Sequence, residues 1–427
     1  MCSVGDDESV DDVMINEAGE DQFSEPIRSG ACHKCGQNGE LYKLVFREAE
    51  CKSCFLNYVN HKFRATVGSS KAVPRDAEVL VVYDGSAESV VLLDMLKTAK
   101  SGSNFKKLHC HFKVIIVDDY ELRNKALNAL DYETYLQEMK DTMLSDSKTE
   151  CYITNLRSDP HQMPYNIKDI DHYLARKLDD ENMFSIMYSN IRTSTNRKEF
   201  IKIYLKKLLA SMAQHLKCNY VFIPTININI AADFLSSIAL GRGSSVGLDV
   251  GFVDDRLENG IRIMRPIKDL SVPEVNLYLR ACNLKSCKQY NESSPGTADS
   301  IQGITESFIK NLQKNFTSTV STIIRTGNKI AYNNFSNIHD KTDVVNQDEN
   351  TISCEICCSL LSGESKTISA VEFSRFVSER GTKSSITDSD DKIKELSSFT
   401  QKRKENICHS CKNMLRDKDI LPFIGNV

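Results

Sequence analysis

No apolar run in the sequence approaches the roughly 18 residues that a membrane-spanning helix requires, so no membrane association is expected. The opening residues, MCSVGDDESVDDV, are acidic and lack a hydrophobic signal region, which predicts a cytosolic chain. An excess of positive charge is also missing. The net charge is −4, so there is no overall attraction to nucleic acid, and any such binding needs a local basic patch. The Walker pattern GxxxxGK followed by Ser or Thr is absent, which excludes that class of nucleotide site. No internal repeat of fixed period is found, although paired cysteine knuckles occur at both ends.

What is present is the composition of a soluble globular protein, with 26% charged and 41% apolar residues. The 427 residues suffice for roughly three domains of about 150 residues, with at least one large core. Residues 1–30 carry nine acidic side chains against one base, Arg28, and are expected to form a disordered tail. From about residue 78, strands alternate with helices. VLVVY, HCHFKVIIVDD, CYITNL, NYVFIP and GIRIMRP read as strands, with SVVLLDMLKTAK, NINIAADFLSSIAL and VPEVNLYLRACNL as helices between or after them. Between 195 and 217, Phe200, Ile203, Tyr204, Leu208, Met212 and Leu216 form one amphipathic stripe. This alternation predicts an α/β fold, a parallel sheet with helices on both faces. Residues 120–195 exceed a simple crossover and imply an inserted excursion. The segment 300–325 reads as one further long helix, and 336–350 and 378–402 as polar loops.

The 15 cysteines are not expected to form disulfides in the cytosol, and eight of them fall in C-x2-C pairs. Cys32, Cys35, Cys51 and Cys54 give C-x2-C-x15-C-x2-C, in which each knuckle turns two sulfurs toward one ion and the two knuckles complete a tetrahedron. Gly36 suits the turn after the first knuckle. The second set is CEICC at 354–358 with CHSCK at 408–412. It predicts Cys354, Cys357, Cys408 and Cys411 as ligands, and the spacing leaves open whether Cys358 replaces Cys357. Pairing knuckles across the two ends would demand very distant loop closure. Both sites are expected to hold structural zinc, with iron as the open alternative. Cys110, Cys151, Cys218, Cys282 and Cys287 read as small core residues, and His109 and His111 as structural.

The first strand runs into a turn, DGSAES. A phosphate cradle there would use unpaired backbone N–H groups at a helix start. The turn resembles the SGGxDS turn of the PP-loop ATP pyrophosphatases, but keeps only Gly85 and Ser89. Asp84, Ser86 and Glu88 replace the opening Ser, the second Gly and the Asp. An ionised carboxylate about 4 Å from a phosphate charge costs about 4 kcal/mol at an effective dielectric of 20, roughly a thousandfold in affinity. The turn is therefore read as a degenerate nucleotide site, and ATP is not expected as a cofactor. Asp118 and Asp119, ending the second strand, read as helix caps, or as ribose contacts if a nucleotide did bind.

REAECKSCFLNYVNHKFRATVGSSK at 47–71, PTININIAADF, RPIKDLSVPEV and the closing CEICC and ICHSCK knuckles together resemble the cytoplasmic tRNA 2-thiolation protein 2 family over most of residues 32–412. The resemblance implies a PP-loop-like α/β domain over 76–300, between an N-terminal zinc ribbon with a basic linker at 31–75 and a zinc-binding segment at 351–427, with a helix and polar linker at 301–350. It further implies a cytosolic, non-catalytic subunit of the complex that 2-thiolates the wobble uridine of the tRNAs for Lys, Glu and Gln, yielding 5-methoxycarbonylmethyl-2-thiouridine. The implied partners are the catalytic homologue, cytoplasmic tRNA 2-thiolation protein 1, the tRNA itself and, indirectly, a thiocarboxylated ubiquitin-like sulfur carrier. In that partner the turn is intact and a core cysteine set serves sulfur transfer. Here CYIT at 151–154 lacks the second cysteine, and PTININIAAD stands where GHNADD would be, with Asp233 as a remnant. No catalytic residue is assigned.

His61, Lys62, Arg64, Lys71 and Arg75 form a basic run interleaved with Tyr58 and Phe63, suited to tRNA phosphates and stacked bases. The plainer alternative is a solvated linker face with two core aromatics. Two other functions remain in view: an active ATP-dependent tRNA sulfurtransferase with an unconventional turn, and a zinc-ribbon interaction scaffold without RNA chemistry.

Overall fold

Three short strands, β1 (Ile27–Ala31), β2 (Asn38–Tyr42) and β3 (Glu50–Cys51), pair antiparallel in that order. The structure is a computed structural model that describes residues 27–69, 72–101, 108–119, 129–144, 149–158, 161, 163–169, 173, 183–243, 245–257, 260–286, 300–339, 353–359, 361 and 407–414. The first cysteine knuckle is the turn between β1 and β2. The second spans the end of β3 and the start of α1 (Lys52–Ser69). Phe55, Val59, Phe63 and Val67 recur every four residues along α1 and are all buried. That stripe keeps the chain helical to Ser69, so much of the basic linker expected within 31–75 is helix.

The main sheet has seven strands: β4 (Ala77–Tyr83), β5 (Cys110–Asp118), β6 (Cys151–Asn155), β7 (Tyr165–Asn166), β8 (Tyr220–Phe222), β9 (Val253–Asp254) and β10 (Arg262–Met264). Their order is β7-β6-β5-β4-β8-β10-β9. The five inner strands are parallel, and β7 and β9 close the edges antiparallel. The chain builds outward from β4 through β5 to β6, then returns to the other side of β4 with β8. The C-terminal ends of β4 and β8 therefore mark the topological switch point, where open α/β sheets bind ligands.

Side chains alternate between two buried faces. Val79, Val81 and Tyr83 of β4 join one core, and Leu80 and Val82 join the other. On the first face lie α1, α2 (Ala87–Ser101), α6 (Asn227–Ala239) and α8 (Val272–Cys282). On the second lie α4 (Met183–Asn190), α5 (Ser194–His215) and the second cysteine cluster with α11 (His409–Met414). The two cysteine clusters thus sit on opposite faces of one sheet. The inserted excursion contributes α3 (Ala129–Leu144), and the short α7 (Val246–Val250) precedes β9.

Residues 300–325 form two helices rather than one, α9 (Ile301–Asn315) and α10 (Thr319–His339). Phe316 leaves helical geometry, and the Thr319 hydroxyl and amide both turn back to its carbonyl, at 2.8 and 3.1 Å. A Ser/Thr-rich stretch competes for backbone groups in this way. Residues 1–26 of the acidic tail, Lys71, Cys287 and the polar stretches 340–350 and 378–402 lie outside the described residues.

Candidate functional site

The turn after β4 satisfies its own backbone. Gly85 adopts a φ of 75°, open to glycine at no steric cost, and is buried. The Ser86 amide donates to Asp84 Oδ1 at 3.0 Å, and the Ser89 amide donates to Ser86 Oγ at 3.1 Å. Ser89 Oγ returns a hydrogen bond to the Ser86 carbonyl at 3.0 Å. Two N–H groups of the kind a phosphate cradle would use are therefore bound to side chains of the turn itself. Glu88 stands in the first turn of α2. Burial raises its pKa above the ordinary carboxylate range, and the charge of Asp84 adds to the rise.

Tyrosines from the excursion cover the neighbouring strand ends. Tyr135, on α3, donates to the Asp84 carbonyl at 3.3 Å. Asp118, 3% exposed at the end of β5, accepts from Tyr132, from Tyr173 at 2.6 Å and from Asn155 Nδ2 at 3.3 Å. Burial, then the Asp118 charge, pushes the Tyr173 hydroxyl pKa well up. Asp118 is thus the acceptor at the centre of a tyrosine cluster, and the residues after Asp119 that it is expected to cap lie outside the described residues. Asp233 pairs with Lys202 at 2.9 Å on the flank of α6. Cys110 and Cys151 open β5 and β6, and Cys218 precedes β8. All three are buried at the N-terminal ends of the parallel strands, opposite to the ligand side.

Both cysteine clusters assemble. In each, the four sulfurs lie within 4.8 Å of one another: Cys32, Cys35, Cys51 and Cys54 in one, Cys354, Cys357, Cys408 and Cys411 in the other. Metal–sulfur bonds of about 2.3 Å in a tetrahedron would place sulfurs about 3.8 Å apart. Cys35 and Cys51 stand at 3.6 Å, and Cys357 and Cys408 at 3.5 Å. These sets fit one tetrahedral ion each, whereas the thiolates of a four-iron cluster bind separate irons and spread wider.

The two knuckles share one backbone design. Gly36 N donates to Cys32 O and Cys358 N to Cys354 O, each at 2.8 Å, and Cys32 N to Gln37 O and Cys354 N to Ser359 O, again at 2.8 Å. Cys358 occupies the position of Gly36, with φ of 56° against 72°. It is the left-handed residue of the turn, which resolves the open choice in favour of Cys357 joining the cluster. In the first cluster the Cys51 amide pulls the Cys32 thiol down to about 6, and the Ser53 hydroxyl lowers that of Cys51. In the second, hydrogen bonds from Cys354, then Cys408 and Cys411, lower that of Cys357. Cys35 and Cys54 in the first set, and Cys408 and Cys411 in the second, are raised instead, so the direction differs within each set; the thiolate is the form that binds metal.

Comparison with known proteins reaches nearly the whole chain. It is 39% identical over 424 residues to cytoplasmic tRNA 2-thiolation protein 2 of Drosophila willistoni, covering 97% of this chain and 99% of the relative. The Drosophila virilis protein of that name is 38% identical over 97% of this chain and 98% of its own, and the Drosophila melanogaster protein 38% over 98% and 99%. The chain belongs to the cytoplasmic tRNA 2-thiolation protein 2 family. The family model itself matches residues 300–413, from α9 through the second cluster. Among solved structures, the U34-tRNA thiolase NcsA from Methanococcus maripaludis, described with its 4Fe-4S cluster, aligns with a TM-score of 0.50 and 16% identity. That match covers 84% of this chain and 98% of the thiolase, and shows a shared fold. The family's name carries the cytoplasmic location, and no described helix is long and apolar enough to cross a membrane.

The basic run of this family member divides. His61 and Arg64 are exposed on α1, three residues apart on one face, and Arg75 is exposed beyond it. Lys62 instead turns inward to Glu274, at 2.9 and 3.0 Å. Phe63 is core, and Tyr58 donates to Glu274 at 2.9 Å with the Arg47 guanidinium 3.9 Å from its ring centre, so the two aromatics follow the plainer reading. The exposed aromatic of the ribbon is Phe46, 61% accessible, in the β2–β3 loop between Lys43 and Arg47. Sequence reasoning passed over it because Val45 and Phe46 look like strand residues; only their outward placement marks them.

Proposed function

We propose that the protein is the non-catalytic subunit of a cytosolic complex that 2-thiolates the wobble uridine of the tRNAs for Lys, Glu and Gln. The catalytic homologue, cytoplasmic tRNA 2-thiolation protein 1, is its heterodimer partner, and sulfur comes from a thiocarboxylated ubiquitin-like carrier. Family membership supplies the pathway. The observation that carries the non-catalytic role is the turn at 84–89, whose amides bind Asp84 and Ser86 within the chain, beside a strand end covered by Tyr132, Tyr135 and Tyr173. ATP would have to displace these contacts and sit against two carboxylates.

The four-cysteine clusters are read as structural zinc sites. Zinc accepts four thiolates tetrahedrally and, with no open position, lends rigidity rather than reactivity. The first holds the β1–β3 sheet to α1, and the second holds two distant chain segments together on α5. An RNA-facing role is assigned to His61, Arg64 and Arg75, with Lys71 retained from the sequence, and Phe46 is added as the stacking residue.

The decisive experiment is wobble-uridine thiolation measured in cells lacking this protein, with and without re-expression. Loss of the 2-thio group, restored by the wild-type chain, is expected; normal thiolation without the protein would refute the assignment. A companion assay measures ATP binding by the isolated chain, and micromolar affinity with unaided tRNA adenylation would establish the active-enzyme alternative. Arg64→Glu is expected to weaken tRNA binding and flatten its salt dependence by about one counterion. Phe46→Ala should cost about 1–3 kcal/mol if a base stacks there.

A further inference from the structure

The two clusters share a knuckle but not a setting. Cys35 is exposed, and the hydrogen bond to a cluster sulfur from a neighbouring side chain comes from the neutral Ser53 hydroxyl, 3.2 Å from Cys51 Sγ. Among the described residues no Lys or Arg donates to those sulfurs. In the second cluster Cys354, Cys408 and Cys411 are all buried, and Arg242 lies against them with its Nη2 3.8 Å from Cys411 Sγ.

Arg242 is itself only 7% exposed. Its Nη1 is held by Glu199, which is 4% exposed, and the other Glu199 oxygen accepts from Gln302 Nε2 at 2.9 Å. Gln302 also donates to the Thr195 carbonyl at 3.2 Å, and the Ile301 amide to the Thr195 hydroxyl at 3.1 Å. Among the described residues the Arg242 Nε has no partner. A buried guanidinium with only part of its donor set used on Glu199 has capacity to spare for sulfur.

The geometry points to Arg242 as a positioning residue for the second metal site: it offsets the charge of the buried thiolates and slows metal release there. Glu199 and Gln302 aim it, which ties the start of α9 to the cluster. The physical need is plain. Four thiolates around one divalent ion carry a net double negative charge. Burying that charge is costly unless a hydrogen-bonded cation accompanies it. Loss of such an outer-shell partner typically lowers metal affinity by about 10–100-fold. The first cluster, with Cys35 exposed and Cys51 and Cys54 only half-buried, keeps water nearer its charge and has less such need. The inference rests on the zinc reading of both clusters.

The test uses the full chain loaded with zinc, challenged with EDTA and an alkylating reagent, with modification of each cysteine followed by mass spectrometry. Wild-type protein is expected to lose protection at Cys32, Cys35, Cys51 and Cys54 about tenfold or more before Cys354, Cys357, Cys408 and Cys411. Burial alone predicts that same order, so the variants decide. Arg242→Met should speed loss at the second cluster by about 10–100-fold while leaving the first unchanged, and Arg242→Lys should restore much of the protection. Equal rates for the two clusters in wild type, no effect of Arg242→Met, or Arg242→Lys as fast as Arg242→Met would each overturn the inference. If Arg242→Met does not fold, Arg242→Gln, which removes the charge but keeps a buried hydrogen-bonding side chain, replaces it with the same expectation, and a rate equal to that of Arg242→Lys would overturn the inference. Native mass spectrometry of the wild type separates the two levels, since a chain carrying no metal would fail the zinc reading itself.

Discussion

Lys62 Nζ lies 2.9 and 3.0 Å from the two carboxylate oxygens of Glu274, a residue 212 positions away whose side chain has no solvent exposure. The same carboxylate accepts from Tyr58 at 2.9 Å and from the Ser271 amide and hydroxyl at 2.7 and 2.8 Å, closing the capping box of α8. It thereby fastens the ribbon helix α1 to the sheet domain. Lys62→Ala leaves that buried carboxylate short of its cation and should destabilise the fold by about 3 kcal/mol, seen as a lower denaturation midpoint. Glu274→Gln should cost less, because the Lys62 side chain is 28% exposed and can return to water.

Cys357 and Cys358 make opposite predictions for metal content. Cys357→Ser removes a cluster sulfur and should lower bound metal from two ions per chain to one. Cys358→Ser changes the left-handed residue after the knuckle and should keep two. Elemental analysis of the purified variants reads the difference, and equal metal content would place both cysteines in the same role.

Restoring the SGGxDS pattern should not restore nucleotide binding. The triple change Asp84→Ser, Ser86→Gly and Glu88→Asp removes the misplaced carboxylate and side-chain contacts but leaves Tyr135 on the residue 84 carbonyl and the tyrosine cluster on Asp118. Calorimetry with ATP and magnesium is expected to show no binding tighter than millimolar. Micromolar binding would mean that the turn alone had closed the site.

Glu88 gives a pH-dependent signature. Its folded pKa is raised, so the native state holds a proton that the unfolded chain has already released. Stability therefore falls as pH rises from the ordinary carboxylate range through the raised value. Glu88→Gln should raise the melting temperature at pH 7, and the gain should shrink as pH falls into and below the ordinary carboxylate range, where the glutamate is protonated in both states. An equal gain across that range would assign the effect to packing.

Gly327 tests how α10 seats on the core. A Cβ there would come within 3.0 Å of Phe234 and of Val250, residues 4% and 0% exposed with little room to move. The helix propensity gain of Gly327→Ala is about 1 kcal/mol, and overpacking costs about 1–3 kcal/mol. Net destabilisation is expected in urea titrations, with Gly327→Val considerably worse.

The parallel strands were legible because β4, β5, β8 and β10 are short apolar runs separated by amphipathic helices. The cysteine spacings gave the clusters for the same reason, since a knuckle is local geometry. The family likewise followed from short motifs. Reading failed once on a distant contact and once on a local one. Phe63 and Val67 prolonged α1 because α8 and the sheet lie beneath them, and the break at Phe316–Ser318 lay hidden in a stretch whose apolar period runs on without interruption.

By itself, then, the sequence determined the element types, the metal-binding chemistry and the altered composition of the turn, all of which are written within a few residues of one another. Only the tertiary structure decided that the clusters occupy opposite faces of the sheet, that Lys62 faces Glu274 rather than solvent, and that Arg242 reaches Cys411 across 169 positions. The physical reason is that periodicity fixes which side of an element is buried, whereas the partner on that side depends on where the chain crosses the sheet.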